Sequence, residues 1–124
     1  MNYFPDDELR CKCCGKNLID KEFLNKLNAM RAFLDFSFPI SSGYRCPNHN
    51  NEVSHSGYDG PHTTGRAVDI QCSHKKAFEI ITNAKNFGFT GIGINQKGAI
   101  KNRFIHLDDL VERGNRPRPH IWSY

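Results

Sequence analysis

No run of apolar residues in this chain approaches the ~18 that a membrane-spanning helix needs, and a spanning helix is excluded from the outset. The chain also lacks an internal repeat and any low-complexity tract, which removes solenoids and Pro- or Gly-rich linkers from consideration. Positive charge is in excess but nowhere concentrated. The net charge is +4, and the densest basic stretch, Arg113 to Arg118, is broken by glycine and proline. Aromatic residues are not interleaved with the basic ones, so no nucleic-acid surface is expected, and no membrane partner either. The segment Met1 to Leu9 is acidic and lacks the basic-then-apolar layout of a secretion signal. Synthesis in the cytoplasm is the expectation, with any outside target reached after release or by another export route.

What is there suits one small folded domain. The chain has 124 residues, enough for one domain and too few for two ordinary ones. Hydrophobic content of 38% against 24% charged argues against disorder by composition, and a chain of this size buries a core without disulfides. A pI near 8.9 fits an acidic polymer as partner. The five cysteines, Cys11, Cys13, Cys14, Cys46 and Cys72, are an odd number, which argues against a pure disulfide framework.

Residues 1–19 read as an irregular, cysteine-containing arm, and residues 20–124 as the domain proper. Asp20 is placed to cap a helix on which Phe23, Leu24, Leu27, Met30, Phe33 and Leu34 recur at helical spacing. Ser73 is placed to cap a second helix, with Ala77, Phe78, Ile80, Ile81, Ala84 and Phe87 as its buried face and Gly88 as its stop. Between them, Phe38 to Ser41 reads as extended and Asn48 to Glu52 as a short helical turn. Ala67 to Ile70, Gly91 to Asn95 and Arg103 to Leu107 read as strands, the last two joined by a turn at Gln96 to Gly98, and His120 to Tyr124 as an edge strand. Two helices with short strands outside any βαβ order predict an α+β domain around a small antiparallel sheet.

The chemistry-bearing residues lie on or beside those strands. His62 and Asp69 are separated by six residues in Gly60-Pro61-His62-Thr63-Thr64-Gly65-Arg66-Ala67-Val68-Asp69, and His106 follows 37 positions later in Phe104-Ile105-His106-Leu107-Asp108. Singly, each has an ordinary reading: a loop histidine, a turn aspartate, a half-buried strand histidine. Together they do not. Asp69 sits between Val68 and Ile70 in a segment fit for burial, where an unpaired carboxylate costs several kcal/mol and needs a cation or donors. His106, between Ile105 and Leu107, obeys the same logic. Two imidazoles and one carboxylate form a three-ligand Zn²⁺ set, and a three-ligand set leaves a position at which water can be activated. Gly65 permits a tight backbone path between the first two.

Ser42-Gly43-Tyr44-Arg45-Cys46-Pro47, the His62-to-Asp69 segment and Phe104-to-Asp108, in that order, resemble the zinc D-Ala-D-Ala carboxypeptidases, and within them the small single-domain murein peptidases of bacteria and phages. The resemblance covers about residues 20–124. It implies the fold shared with the Hedgehog signalling domain, zinc held by His62, Asp69 and His106, and a peptidoglycan stem peptide as substrate. Arg45 matches an arginine that lies near the substrate carbonyl, suited to a developing oxyanion. Several branches carry glutamate three residues before the second histidine; here that residue is Arg103, which cannot act as a base. Asp108 resembles a His-x-Asp form, with two roles open: general base, or second-sphere acceptor for the ligand histidine. Asp59 and His120 are outside candidates. Where many relatives carry serine two residues before the first ligand, this chain has Gly60; Tyr58 is a candidate substitute, and Ser54 and Ser56 read as plain loop residues.

Cys11 and Cys14, with Cys46 and Cys72, could form a structural zinc site; a Cys14–Cys46 disulfide or free thiols are the alternatives. The arm around Cys11 to Gly15 is similar to cysteine-containing leaders on some members of the same branch. The expectation is therefore a monomeric zinc-dependent peptidase of D-Ala-D-Ala carboxypeptidase or endolysin-like type, acting on the cell wall. The competing expectation is a zinc-stabilised module that binds wall peptide or a protein partner without cleaving it.

Overall fold

The computed structural model describes residues 1–124. Helix α1 spans Asp6–Leu9, α2 Lys21–Leu34, α3 Pro47–Val53 and α4 His74–Asn83, the last continuing as a 3₁₀ turn at Ala84–Phe87. The strands are β1 Ile40–Ser42, β2 Ala67–Gln71, β3 Gly91–Asn95, β4 Phe104–Asp108 and β5 His120–Ser123. They form one sheet in the order β1-β2-β4-β3-β5. All neighbours run antiparallel except β3 and β5, which are parallel. This is an α+β fold with helices packed on a small, mostly antiparallel sheet.

Helix α2 begins where the sequence says it should: the Asp20 side chain accepts from the Phe23 backbone N–H at 3.1 Å, satisfying one otherwise orphaned donor of the first turn. Its Phe23, Leu27 and Met30 are fully buried with Ile80 of α4 and with Val68, Ile70, Ile105 and Leu107 of the sheet. The buried helix faces are narrower than the spacing predicts, since Phe33 and Phe78 are both about two-thirds exposed. Ser73 precedes α4 but makes no side-chain cap.

The first nineteen residues differ from the expectation of an irregular arm. They contain α1, and Phe4 and Leu9 belong to the same core as α2 and the sheet. The Tyr44 N–H donates to the Leu9 carbonyl at 2.8 Å. Gly43 lies so close to the Leu9 backbone that a Cβ there would collide with it.

Candidate metal centre

Strand register brings two of the predicted ligands together. Asp69 of β2 stands directly opposite His106 of β4, and such cross-strand pairs place their Cβ atoms about 5 Å apart on one face. His62 enters from the 3₁₀ turn Pro61–Thr64 that precedes β2. That turn closes on Gly65, whose φ of +76° is left-handed and whose missing side chain lets the backbone pass against the Leu18 carbonyl. On the far side of β4, Gly93 faces His106 and Gly91 faces Asp108; a Cβ at either would overlap the Trp122 indole or the Asp108 carboxylate. The glycines of β3 are thus the room in which the two β4 side chains sit.

The donor atoms converge. His62 Nε2 and His106 Nδ1 each lie 3.2 Å from Asp69 Oδ1, and all three residues are buried. Ligands about 2.1 Å from a tetrahedral zinc ion are about 3.4 Å apart, so these two separations match the edges of such a site, and all three donor atoms lie within 4.8 Å of one another. The ring nitrogens not facing Asp69 are occupied. His62 Nδ1 donates to the Gly43 carbonyl at 2.8 Å, and His106 Nε2 donates to Asp108 Oδ2 at 2.8 Å. A carbonyl and a carboxylate can only accept, so both tautomers are fixed with lone pairs aimed inward, the arrangement common among metal-binding histidines.

Electrostatics acts differently on the two imidazoles. Burial lowers the His62 pKa despite the attraction of Asp69, leaving a neutral imidazole suited to ligation. Burial also opposes charge on His106, but its bonds to Asp108 and Asp69 outweigh it and raise the pKa. Burial pushes the Asp69 carboxyl up, and the neighbouring His62 and His106 pull it well below the usual carboxylate range. The pocket is thus built around an anionic oxygen and favours positive charge at the point the three donors share.

Of the two roles open to Asp108, the geometry fits the acceptor behind His106. It is fully buried. Its carboxylate is taken by His106 and, in a two-pronged pair, by Arg118 Nε at 2.9 Å and Nη2 at 2.8 Å. Burial raises its pKa, but those partners outweigh it and hold it at about 2. Arg118 is a functional residue that sequence reasoning misses. The one signal for it is that a strand carboxylate flanked by apolar residues needs a cation, and the sequence does not say which of several basic residues supplies it.

Arg45 reaches the cluster: Nη2 lies 3.4 Å from Asp69 Oδ2, Nη1 donates to Asn50 Oδ1 at 3.2 Å and Nε to Ser42 Oγ at 3.0 Å. It lines a cleft of about 470 Å³ with His62, Asp69 and His106 at the floor. Phe104, Trp122 and Tyr124 also line it, as do Val53, Ser54, His55 and Ser56. Ser54 and Ser56 are therefore cleft residues rather than plain loop. The Ser56 hydroxyl occupies the space a side chain at Gly60 would need. Tyr58 and Asp59 are exposed and off the cleft lining, Asp59 beside Arg113. His120 is exposed, stacked on Trp122 at 5.6 Å. Arg103 donates to the Gly98 carbonyl, outside the cleft. The four cysteines expected as a set divide: Cys11, Cys14 and Cys46 come together, whereas Cys72 lies beyond the far end of β2 with its thiol donating to the Ile70 carbonyl.

The site and the chain's relationships agree. The sequence model of the peptidase M15 family matches residues 2–108, and the chain belongs to that family. This is the zinc D-Ala-D-Ala carboxypeptidase-like family that the three motifs resemble. The match begins ahead of the cysteine-containing turn, further towards the N-terminus than the resemblance at residues 20–124, and stops at Asp108, before Arg118 and β5. Neither the curated proteins nor the solved structures contain a match. No helix is long and apolar enough to cross a membrane.

Proposed function

We propose that this peptidase is zinc-dependent and hydrolyses a peptide bond in the stem peptide of peptidoglycan, as a D-Ala-D-Ala carboxypeptidase or an endolysin-like endopeptidase. His62, Asp69 and His106 hold the ion. When bound, zinc brings the pKa of a coordinated water toward neutrality and polarises the scissile carbonyl. Arg45, beside the ligands and facing the cleft, supplies positive charge to the oxygen that becomes anionic. Asp108, clamped by Arg118, fixes the His106 ring and makes it a better donor. It is not the proton carrier in this reading, because both its oxygens are engaged away from the cleft. His55 carries the proton instead. Among the cleft-lining residues it is the one imidazole outside the ligand set, and a proton acceptor and donor is required for water attack and amine departure. The walls of Phe104, Trp122 and Tyr124 offer apolar contact to a short peptide of small side chains. The enzyme works at the cell wall, as a monomer, reaching it after release or by another export route.

The observation that carries this reading is the meeting of three inward-facing donors at the floor of a solvent-open cleft beside an arginine. Purified protein incubated with intact bacterial wall, with and without chelator, tests it. New peptide termini detected by mass, lost on chelation and restored by zinc, are expected. A folded, zinc-loaded chain that releases nothing from walls of varied chemistry contradicts it.

A second reading has two observations in its favour. Arg103 stands where glutamate serves in several branches, and Asp108 is bonded away from the cleft. A zinc-stabilised module that binds wall peptide without cleaving it satisfies both facts. Binding of wall fragments with no turnover, in wild type and H55Q alike, would select it.

A further inference from the structure

We propose a second metal site, built from the thiolates of Cys11, Cys14 and Cys46, that takes a thiophilic divalent ion of the zinc class and staples the N-terminal segment to the residue following Arg45. It is independent of the His62, Asp69 and His106 centre and stands whether or not the peptidase reading does.

The three sulfurs lie within 4.8 Å of one another. Thiolates about 2.3 Å from a tetrahedral zinc ion are about 3.8 Å apart, so the cluster needs only a small contraction to close on an ion. Cys11 and Cys14 are presented by one tight turn: the Gly15 N–H donates to the Cys11 carbonyl at 2.9 Å and the Cys11 N–H to the Lys16 carbonyl at 2.7 Å. Cys46 arrives from 35 residues away, and its backbone N–H donates to Cys11 Sγ at 3.3 Å. Cys46 Sγ accepts from the His49 N–H at 3.4 Å. Backbone N–H groups aimed at sulfur favour the thiolate, the form that ligates. Arg10 and Lys12, with Asp7, border the same shallow cleft as Cys11 and Cys14, so its rim carries a net positive charge, opposite to that of three thiolates on a divalent ion. That cleft is open to solvent, which provides the fourth donor. Three thiols clustered this closely are poorly served by a disulfide, which would pair two and strand the third.

The consequence is local order where it matters. Cys46 caps α3, Asn50 of α3 accepts from Arg45, and Arg45 adjoins Cys46 in sequence. An ion here fixes the base of the segment that carries the arginine.

The test uses the full chain, reduced and stripped of metal, titrated with cobalt(II) and separately with zinc. Sulfur-to-cobalt charge transfer in the near ultraviolet is expected in wild type, in C72A and in H106A, because a nitrogen and oxygen site gives no such band. It is expected to vanish in C14S and C46S. C14S alters an exposed residue and is the safer variant if C46S disturbs α3. Zinc content should be two per chain in wild type, and one in C14S or H106A. A folded, reduced wild type that shows no thiolate band, or a band unchanged in C14S and C46S, overturns the proposal. So does a purified chain whose mass reveals a Cys11–Cys46 or Cys14–Cys46 disulfide that forms in preference to metal binding.

Discussion

The two clusters of candidate metal-binding side chains in this molecule are built on different plans. The His62, Asp69 and His106 cluster is set by strand register: its residues are buried, and each ring nitrogen that does not face the ion position has an acceptor of its own. The Cys11, Cys14 and Cys46 cluster is set by a turn and a helix cap, and its exposure runs from buried Cys11 to exposed Cys14. The first is assembled by folding itself, whatever ion is present. The second, once loaded, would draw part of its order from the ion, as small thiolate sites do. Catalysis needs the first kind, because a donor displaced by a fraction of an ångström misdirects the reacting water. Holding a peripheral segment in place needs only the second.

The contrast breaks most completely at the floor of the cleft. H62A, D69A and H106A should each remove one zinc ion per chain and abolish peptide release, while the thiolate ion stays. Metal analysis alongside peptide mass spectrometry checks this. R45A should come next, with kcat lower by about 10²–10³-fold and zinc retained, the scale of losing one donor to a developing oxyanion. R45K should restore only part, since a lysine cannot keep the Ser42, Asn50 and Asp69 bonds together. H55Q should lower kcat by roughly 10²-fold or more with zinc retained, the scale of losing a proton carrier.

D108N sharpens the comparison from behind the ligands. Zinc affinity should fall about 10–100-fold, as it does when partners of metal ligands are removed. Unfolding should be easier by about 3 kcal/mol, because Arg118 and His106 lose a buried counter-charge. The sign with pH follows from the depressed carboxyl. Its ordinary pKa is 3.8 and its folded value about 2, so its stabilisation is complete above about pH 4 and disappears as pH falls toward 2. Acid unfolding of D108N should lack that segment of pH dependence. The smallest effect expected is in C14S: loss of the thiolate ion, with a melting temperature lower by a few degrees and activity reduced less than in R45A.

How much of this is legible in the sequence follows from where each interaction lies along the chain. The helices, their stop at Gly88 and the strands flanking Asp69 and His106 are local patterns, and local patterns are readable. The clustering of His62, Asp69 and His106 is readable because Asp69 and His106 sit in strands where an unpaired polar residue makes no sense. Arg118 is not, because its partner is set by how the tail folds back to lay β5 beside β3, a parallel pairing that no local signal specifies. The same holds for the arm: Phe4 and Leu9 are isolated apolar residues in an acidic, cysteine-rich stretch, and only the packed sheet reveals that they belong to the core. By spacing alone Cys72 is equivalent to the other thiols, yet it follows the end of β2 and lies outside the cluster that Cys11, Cys14 and Cys46 form. Ser56 could not be matched to Gly60 by spacing either, since the loop that carries it bends back over that position.

The most direct test of the central claim is a crystal structure of the zinc-loaded chain with anomalous diffraction measured at the zinc edge. The account predicts a strong peak bonded to His62 Nε2, Asp69 Oδ1 and His106 Nδ1, with His106 Nε2 still on Asp108. A well-ordered crystal with zinc bound elsewhere and none between those three atoms contradicts it.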